Sequence, residues 1–333
     1  MGIASYIREI GRGRDGARSL DRAEAHDLMS QVLDGRVTDL EIGGFALAMR
    51  IKGESVAELC GFLDAAHERC INLAADRPAV VLPSYNGSRR LPNLTALLPM
   101  LLAQEGVDVL VHGPASDTGR ITTAEVFRDL GLTTAENAGD VEAAWARREP
   151  SFIRTEVLCP PLARLLAVRA VVGLRNSGHT IAKLLPALRS GPVLRVVNYT
   201  HPEYGVLLAE FLKTTGASAM LMRGTEGEPV ADARRQQRLD VYIAGEVRPD
   251  LSIAAQDGVL TEMPVLPRGN DASTTARTIQ AIVSGAMPAP RAIAAQVSGL
   301  LAALASMAAL DALDALAGPT PLKEAPGPLV ARQ

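Results

Sequence analysis

Ala79-Val80-Val81-Leu82-Pro83-Ser84-Tyr85-Asn86-Gly87-Ser88 decides the class of the fold. A short apolar run, broken at once by Pro, Ser, Asn and Gly, reads as a buried strand feeding a loop. The same grammar recurs along the chain. Asn93 to Gln104 has helical spacing, and Val107-Asp108-Val109-Leu110-Val111 reads as a second strand. Thr122 to Leu130 follows as a helix, Val193 to Asn198 as a strand, Pro202 to Thr214 as a helix, and Ala219-Met220-Leu221-Met222 as a strand. Strands alternating with helices predict an α/β domain with a central, mostly parallel sheet flanked by helices. Ligands of such sheets sit beyond the carboxyl ends of the strands. Three strand-to-loop junctions fall there, at 83–88, 112–119 and 223–228.

Upstream of the first strand, residues 1–75 read as a small helical domain. Ile3, Tyr6, Ile7 and Ile10 mark one amphipathic helix, stopped by Gly11-Arg12-Gly13. A second opens under Asp21 or Ser19. Thr38 with Glu41 forms a capping-box pattern for a third, and Ser55 caps a fourth that runs to Cys70. The pair Gly43-Gly44 inside the third helix costs ~1 kcal/mol per Gly against Ala, which close helix–helix contact would justify. Four short helices cannot bury their own apolar faces, so they must pack on the rest of the chain or on a second subunit. The organisation read from the sequence is a helical domain over 1–75, an α/β domain over 76–318 and a loose tail over 319–333. Helices near 162–188 are expected to pack with the helical domain.

At 333 residues the chain exceeds one ordinary core, which agrees with two domains. A net charge of −3 and a pI near 6.0 disfavour a uniformly basic nucleic-acid binder. Aromatic residues make up only 3%, which disfavours base-stacking platforms. Cys60, Cys70 and Cys159 lack metal-ligand spacing and read as reduced, buried thiols. The N-terminus carries no apolar signal core, and the Ala-rich run from Val297 to Leu310 reads as a buried helix. A cytoplasmic protein without a membrane partner is the expectation.

Charge is unevenly spread. Between Ser151 and Thr200 the basic residues are Arg154, Arg164, Arg169, Arg175, Lys183, Arg189 and Arg195, and Glu156 is the lone acid. Inside this window, Ile181, Leu184, Leu185 and Leu188 follow an apolar helix spacing. Arg175, His179 and Lys183 lie four residues apart and would stack along another face. Asn176 or Ser177 is the candidate N-cap, and Pro186 should end the helix. A stripe of this kind takes an anion from elsewhere: a small phosphate ester, a nucleic-acid backbone, or only water. No Ser/His/Asp or Cys/His set stands in supporting context, so no nucleophile is assigned. His112, after a buried strand, reads as structural.

The order of elements resembles the anthranilate phosphoribosyltransferase family. There the first loop is a Gly-rich GTGGDG cradling a diphosphate, followed by an Asn-x-Ser-Thr helix start. Here the stretch is Pro83-Ser84-Tyr85-Asn86-Gly87-Ser88, then Asn93-Leu94-Thr95-Ala96, which keeps one of those glycines. The family's Lys-His-Gly-Asn-Arg becomes Val111-His112-Gly113-Pro114-Ala115. Its magnesium-holding Asp-Glu pair becomes Glu226-Gly227-Glu228. Further blocks, Gly173-x-Arg175-Asn176-Ser177-x-His179-Thr180-x-Ala182-Lys183-Leu184 and His201-Pro202-Glu203-Tyr204 among them, resemble the YbiB-type DNA-binding branch of that family. The resemblance implies a homodimer joined through the helical domains, with a basic groove for nucleic acid, DNA or RNA. It implies no catalytic residue and no cofactor. The nucleic-acid contacts expected are Arg175, His179, Lys183, Arg189, Arg169 and Arg164. Asn86, Gly87, Ser88, Asn93 and Thr95 are the residual phosphate-site positions, and Glu226 and Glu228 the remaining metal candidates. The alternative is a phosphoribosyltransferase or nucleoside phosphorylase using phosphoribosyl diphosphate and magnesium on an unidentified base.

Overall fold

The computed structural model describes residues 2–13, 15–258 and 263–317. The tail expected over 319–333 lies outside the described residues. Four helices come first: α1 (Ala4–Ile10), α2 (Arg22–Leu33), α3 (Asp39–Lys52) and α4 (Val56–His67). Three of them start on reciprocal capping boxes, Asp21 with Glu24, Thr38 with Glu41 and Ser55 with Glu58. The α2–α4 crossing is close because Gly61 faces α2: a Cβ there would meet the Arg22 carbonyl oxygen at 2.3 Å. The Gly43-Gly44 pair behaves otherwise. Among the described residues Gly44 has one neighbour, Ile7 Cδ1 at 3.6 Å from its virtual Cβ, and Gly43 has none within 4 Å.

The α/β part begins with β1 (Ala79–Pro83), a 3-10 turn over Leu94–Ala96, α5 (Leu97–Gln104) and β2 (Asp108–Gly113). Next come α6 (Thr123–Asp129), β3 (Thr134–Ala135), α7 (Ala138–Ala146) and β4 (Ser151–Arg154). A run of short helices follows: α8 (Thr155–Leu158), α9 (Pro160–Ala167), α10 (Arg169–Val172) and α11 (Ser177–Ala182). The chain continues through β5 (Val193–Tyr199), α12 (Pro202–Thr215), β6 (Ala219–Arg223), β7 (Leu239–Ile243), β8 (Glu246–Val247), α13 (Ala272–Val283) and α14 (Arg291–Ala317). The sheet order is β3-β4-β2-β1-β5-β6-β7-β8. Pairings from β3 to β6 are parallel, and the last two are antiparallel. β1 and β2 lie at its centre and are buried along their whole length, as continuous apolar runs of a two-sided sheet require.

Two cores cover the two faces. One joins the helical domain, α9, α11 and α12 to one side of the sheet through residues such as Phe45, Phe62, Leu162, Ile181 and Phe211. The other packs α5, α6, α13 and α14 on the opposite side. In the first core α9 packs on α2, and α11 on α3 and α4. α14 is long and apolar enough to cross a bilayer by length and composition, yet Ile293, Leu300 and Ala303 are fully buried against the sheet. His112 is a buried strand residue, hydrogen-bonded through Nδ1 to the Tyr85 hydroxyl at 2.9 Å. Burial pushes its pKa down to about 3, so it is neutral and structural.

Candidate functional site

The three loops beyond the strand ends meet, as the topology requires. Ser88 bridges to Ile121, joining the first to the second. The third loop turns back on itself at Thr225–Glu228 and inserts two carboxylates into the first. Glu228, buried, accepts from the amides of Asn86 at 2.7 Å and Gly87 at 2.8 Å. Its other oxygen accepts from the hydroxyls of Ser84, Thr95 and Thr123. Glu226 accepts from the Ser88 hydroxyl at 2.6 Å and from the amides of Arg89, Arg90 and Leu91 at 2.9–3.1 Å. Partial burial works to raise its carboxyl, but these hydrogen bonds together outweigh burial and hold it below the usual range. The turn is tight: Glu226 has φ +52° and Gly227 φ +88°.

Every residual phosphate-site position is thus near the loop, but the anion in it belongs to the chain. Asn86, Gly87 and Ser88 face the two glutamates. Asn93 caps the 3-10 turn through Thr95 N, at 3.2 Å, and donates to Ile121 O and Thr123 Oγ1. Magnesium needs open carboxylate oxygens in octahedral array. Here those oxygens are ringed by protein donors, and among the described residues no group of three or more His, Cys, Asp or Glu could hold a metal ion. Glu226 and Glu228 do not fit a magnesium site.

Beside this loop lies a cleft of about 490 Å³ between the helical domain and the strand ends. Arg50 and Glu54 line one wall, α11 with Arg175, His179 and Lys183 the second, and Asn198 to Tyr204 the third. α11 is shorter than its apolar spacing predicts. It ends at Ala182, four residues before Pro186. Asn176 caps it, accepting from Gly178 N at 3.0 Å, and Ser177 ties it to the helical domain through Glu54 Oε1 at 2.7 Å. Arg175 precedes the helix and Lys183 follows it, yet both side chains reach the same cleft.

Its electrostatics differ from a cationic stripe. His179 is neutral: burial, then the nearby Arg175 and Arg169, push its pKa down to about 4. Lys183 donates to Gly227 O at 3.1 Å and to Asn198 Oδ1 at 3.4 Å. Burial pushes it down to about 8, opposed by the charge of Glu228. Arg175 has no hydrogen-bond partner or ion pair among the described residues. Burial, then Arg169 and Arg120, make its charge less favourable. Asn198, 2% exposed, leaves Nδ2 without a partner among the described residues. The acids on the walls are Glu54, whose pKa burial raises, and the exposed Glu203. An unpaired guanidinium, a shielded ammonium and an unused amide N–H make a donor set for an anionic group.

The remaining basic residues do not join this set. Arg154 pairs with Glu136 and Arg169 with Asp117. Arg195 is buried, donating to Leu184 O over the Phe211 ring. Arg164 donates to Leu33 O, and Arg189 to the carbonyls of His67 and Glu68. The positive window in the sequence is therefore scattered over interior, cleft and surface. Sequence reasoning missed Asn198, Arg120 and Glu54. Asn198 stands near the carboxyl end of β5, the position where ligand groups gather in such sheets. Arg120, donating to Gly87 O at 3.3 Å, carried no local signal.

The lowered Lys183 pKa has a measurable consequence. The unfolded chain binds this proton more tightly than the folded one, so stability must rise with pH between about 8 and 10.5. The shift corresponds to roughly 3 kcal/mol. Urea unfolding across that range should show the wild type gaining on Lys183→Met, with the gap closing towards pH 10.5. Parallel curves would contradict the buried ammonium.

Comparisons with known proteins agree with this architecture. Residues 4–70 match the glycosyl transferase family, helical bundle domain. The Escherichia coli (strain K12) protein YbiB is 39% identical over 306 residues, covering 91% of this chain and 94% of that one. Anthranilate phosphoribosyltransferase of Methanopyrus kandleri is 26% identical over 288 residues, 85% of this chain and 84% of that one. Among solved structures, anthranilate phosphoribosyltransferase from Thermus thermophilus superposes with a TM-score of 0.66 at 21% identity, covering 91% of this chain and 92% of that one. The helical bundle, the mostly parallel sheet and the near-complete match to YbiB together make this chain a member of the YbiB family, on the anthranilate phosphoribosyltransferase-like fold of glycosyltransferase family 3.

Proposed function

We propose that this protein uses its phosphoribosyltransferase-like fold to bind a small anionic molecule, a phosphate ester or carboxylate, in the cleft between the helical and α/β domains. The observation that carries this reading is Arg175, half-buried in the cleft wall with no protein partner among the described residues, lining the same cleft as the unused Nδ2 of Asn198. A partly desolvated guanidinium without a protein partner makes its strongest hydrogen bonds to an anionic ligand. The relatives named as anthranilate phosphoribosyltransferases support the same ligand class, since their names contain both a carboxylate and a phosphoribosyl group. Isothermal titration with ribose 5-phosphate, anthranilate and phosphoribosyl diphosphate, each with and without magnesium, tests it. At least one should bind, without needing magnesium. No binding by any of the three would sink the reading.

Nucleic-acid binding is a second reading, favoured by a separate observation. Arg164 and Arg189 are exposed and, among the described residues, hydrogen-bond only to main-chain carbonyls, with no acidic partner there. Phosphate-backbone contacts of that kind weaken steeply with salt. An oligonucleotide titration at low and high salt separates the readings. Loss on Arg164→Ala/Arg189→Ala, with ligand heats unchanged, would favour the polymer.

The helical domain supports association with a second copy. On α3, Leu40, Gly44, Leu47 and Ile51 share one face, and the three apolar side chains are 86%, 48% and 60% exposed. Gly43 beside them has no neighbour within 4 Å of its virtual Cβ among the described residues, which leaves room for another helix. Light scattering should find a dimer that Leu47→Asp/Ile51→Asp converts to a monomer. A monomeric wild type would refute it.

A further inference from the structure

We infer that Glu226 and Glu228 are built-in anions of the β1 loop: they occupy its amide nest permanently and mask a latent oxyanion site. Successive N–H groups converging in a turn form a concavity that takes a phosphate or carboxylate. The β1 loop has such a concavity, with the amides of Asn86 and Gly87 on one carboxylate and those of Arg89, Arg90 and Leu91 on the next. Gly87, with φ +64°, gives the nest its curvature, and a Cβ there would meet Ile121 O at 2.9 Å. The two occupants come from one turn far along the chain, after β6, and meet these amides across 135 to 142 residues.

The insertion is shaped to stay. Gly227 is the residue that lets the turn enter, because a Cβ on it would lie 1.6 Å from Asn86 Nδ2. Asn86 Nδ2 also donates to the Glu226 carbonyl at 3.1 Å, and Lys183 holds the Gly227 carbonyl from the other side. Each carboxylate receives both amide and hydroxyl donors. A diphosphate arriving at the loop would therefore have to expel two satisfied carboxylates and meet their charge. The loop is closed to phosphoribosyl diphosphate and magnesium, although its backbone still has the form that takes an anion.

This inference rests on the loop hydrogen bonds and not on what the cleft binds. Its test is run in an Arg175→Leu background, which removes the unpaired cation of the cleft and leaves the Lys183 contact to the Gly227 carbonyl in place. Inorganic pyrophosphate is titrated by calorimetry, without metal, into that parent and into the same chain carrying Glu226→Ala/Glu228→Ala. The parent should give no heat, and the glutamate-free chain should bind at least tenfold more tightly. Equal binding by the two, or a folded glutamate-free chain that binds nothing, overturns the inference. If that chain fails to fold, hydrogen exchange at the Asn86 and Gly87 amides decides the matter in otherwise wild-type protein. Glu228→Gln, which removes the charge and keeps the shape, should speed exchange tenfold or more. Unchanged exchange overturns the inference as well.

Discussion

Gly227→Ala is expected to lose about 3 kcal/mol of stability, combining left-handed backbone strain with a steric collision. The strain follows from φ +88°, and the collision from the 1.6 Å approach of the new Cβ to Asn86 Nδ2. Neither Asn86, 5% exposed, nor the turn carrying Glu226 and Glu228 can move without breaking the loop's hydrogen bonds. Gly106→Ala is the matched control. Gly106 has φ +79° with nothing near its virtual Cβ, so only the strain applies, about 1 kcal/mol. Urea unfolding of the two variants measures the difference. Equal losses would mean that the turn is not wedged into the β1 loop.

Arg175→Leu is expected to separate binding from stability. The guanidinium is half-buried and lacks a protein partner among the described residues, so replacing it with a hydrophobic side chain should leave stability unchanged or raise it by about 1 kcal/mol. Ligand affinity should fall tenfold or more, as expected for the loss of a charge-assisted contact, about 1.4 kcal/mol or above. This opposition is what a binding residue shows when function and stability conflict. A structural arginine would lose stability with the ligand constant unmoved. Thermal denaturation and calorimetry on one preparation give both numbers.

Much of the frame was legible in local chemistry. Capping boxes at Asp21, Thr38 and Ser55 announce α2, α3 and α4, because each pairs an oxygen with a glutamate three residues on. β1, β2, β5 and β6 announce themselves as apolar runs bounded by turn residues. β7 did not, since Leu239–Ile243 carries Asp240 and pairs antiparallel near the sheet's edge, outside the alternating pattern. β4 is only four residues long and runs directly into α8.

The site was less legible, for a physical reason. Charge counting along the chain records Arg195, Arg154 and Arg175 alike. In the fold the first is buried over Phe211, the second is paired and the third is a cation of the cleft with no partner among the described residues. Four-residue spacing did bring Arg175, His179 and Lys183 together, but burial took the charge from His179 and shielded Lys183. With one of the family's glycines kept, the first loop reads as a residual phosphate site. The cradle survives with Glu228 in it, a contact across 142 residues that no local pattern encodes.

A crystal structure of the protein grown with saturating ribose 5-phosphate would locate the bound anion. An ordered anion is expected to bridge Arg175 and Asn198 in the cleft, with Glu226 and Glu228 still seated on the β1-loop amides. A phosphate on the Asn86 and Gly87 amides with Glu228 expelled, or a cleft holding only water, would contradict that expectation.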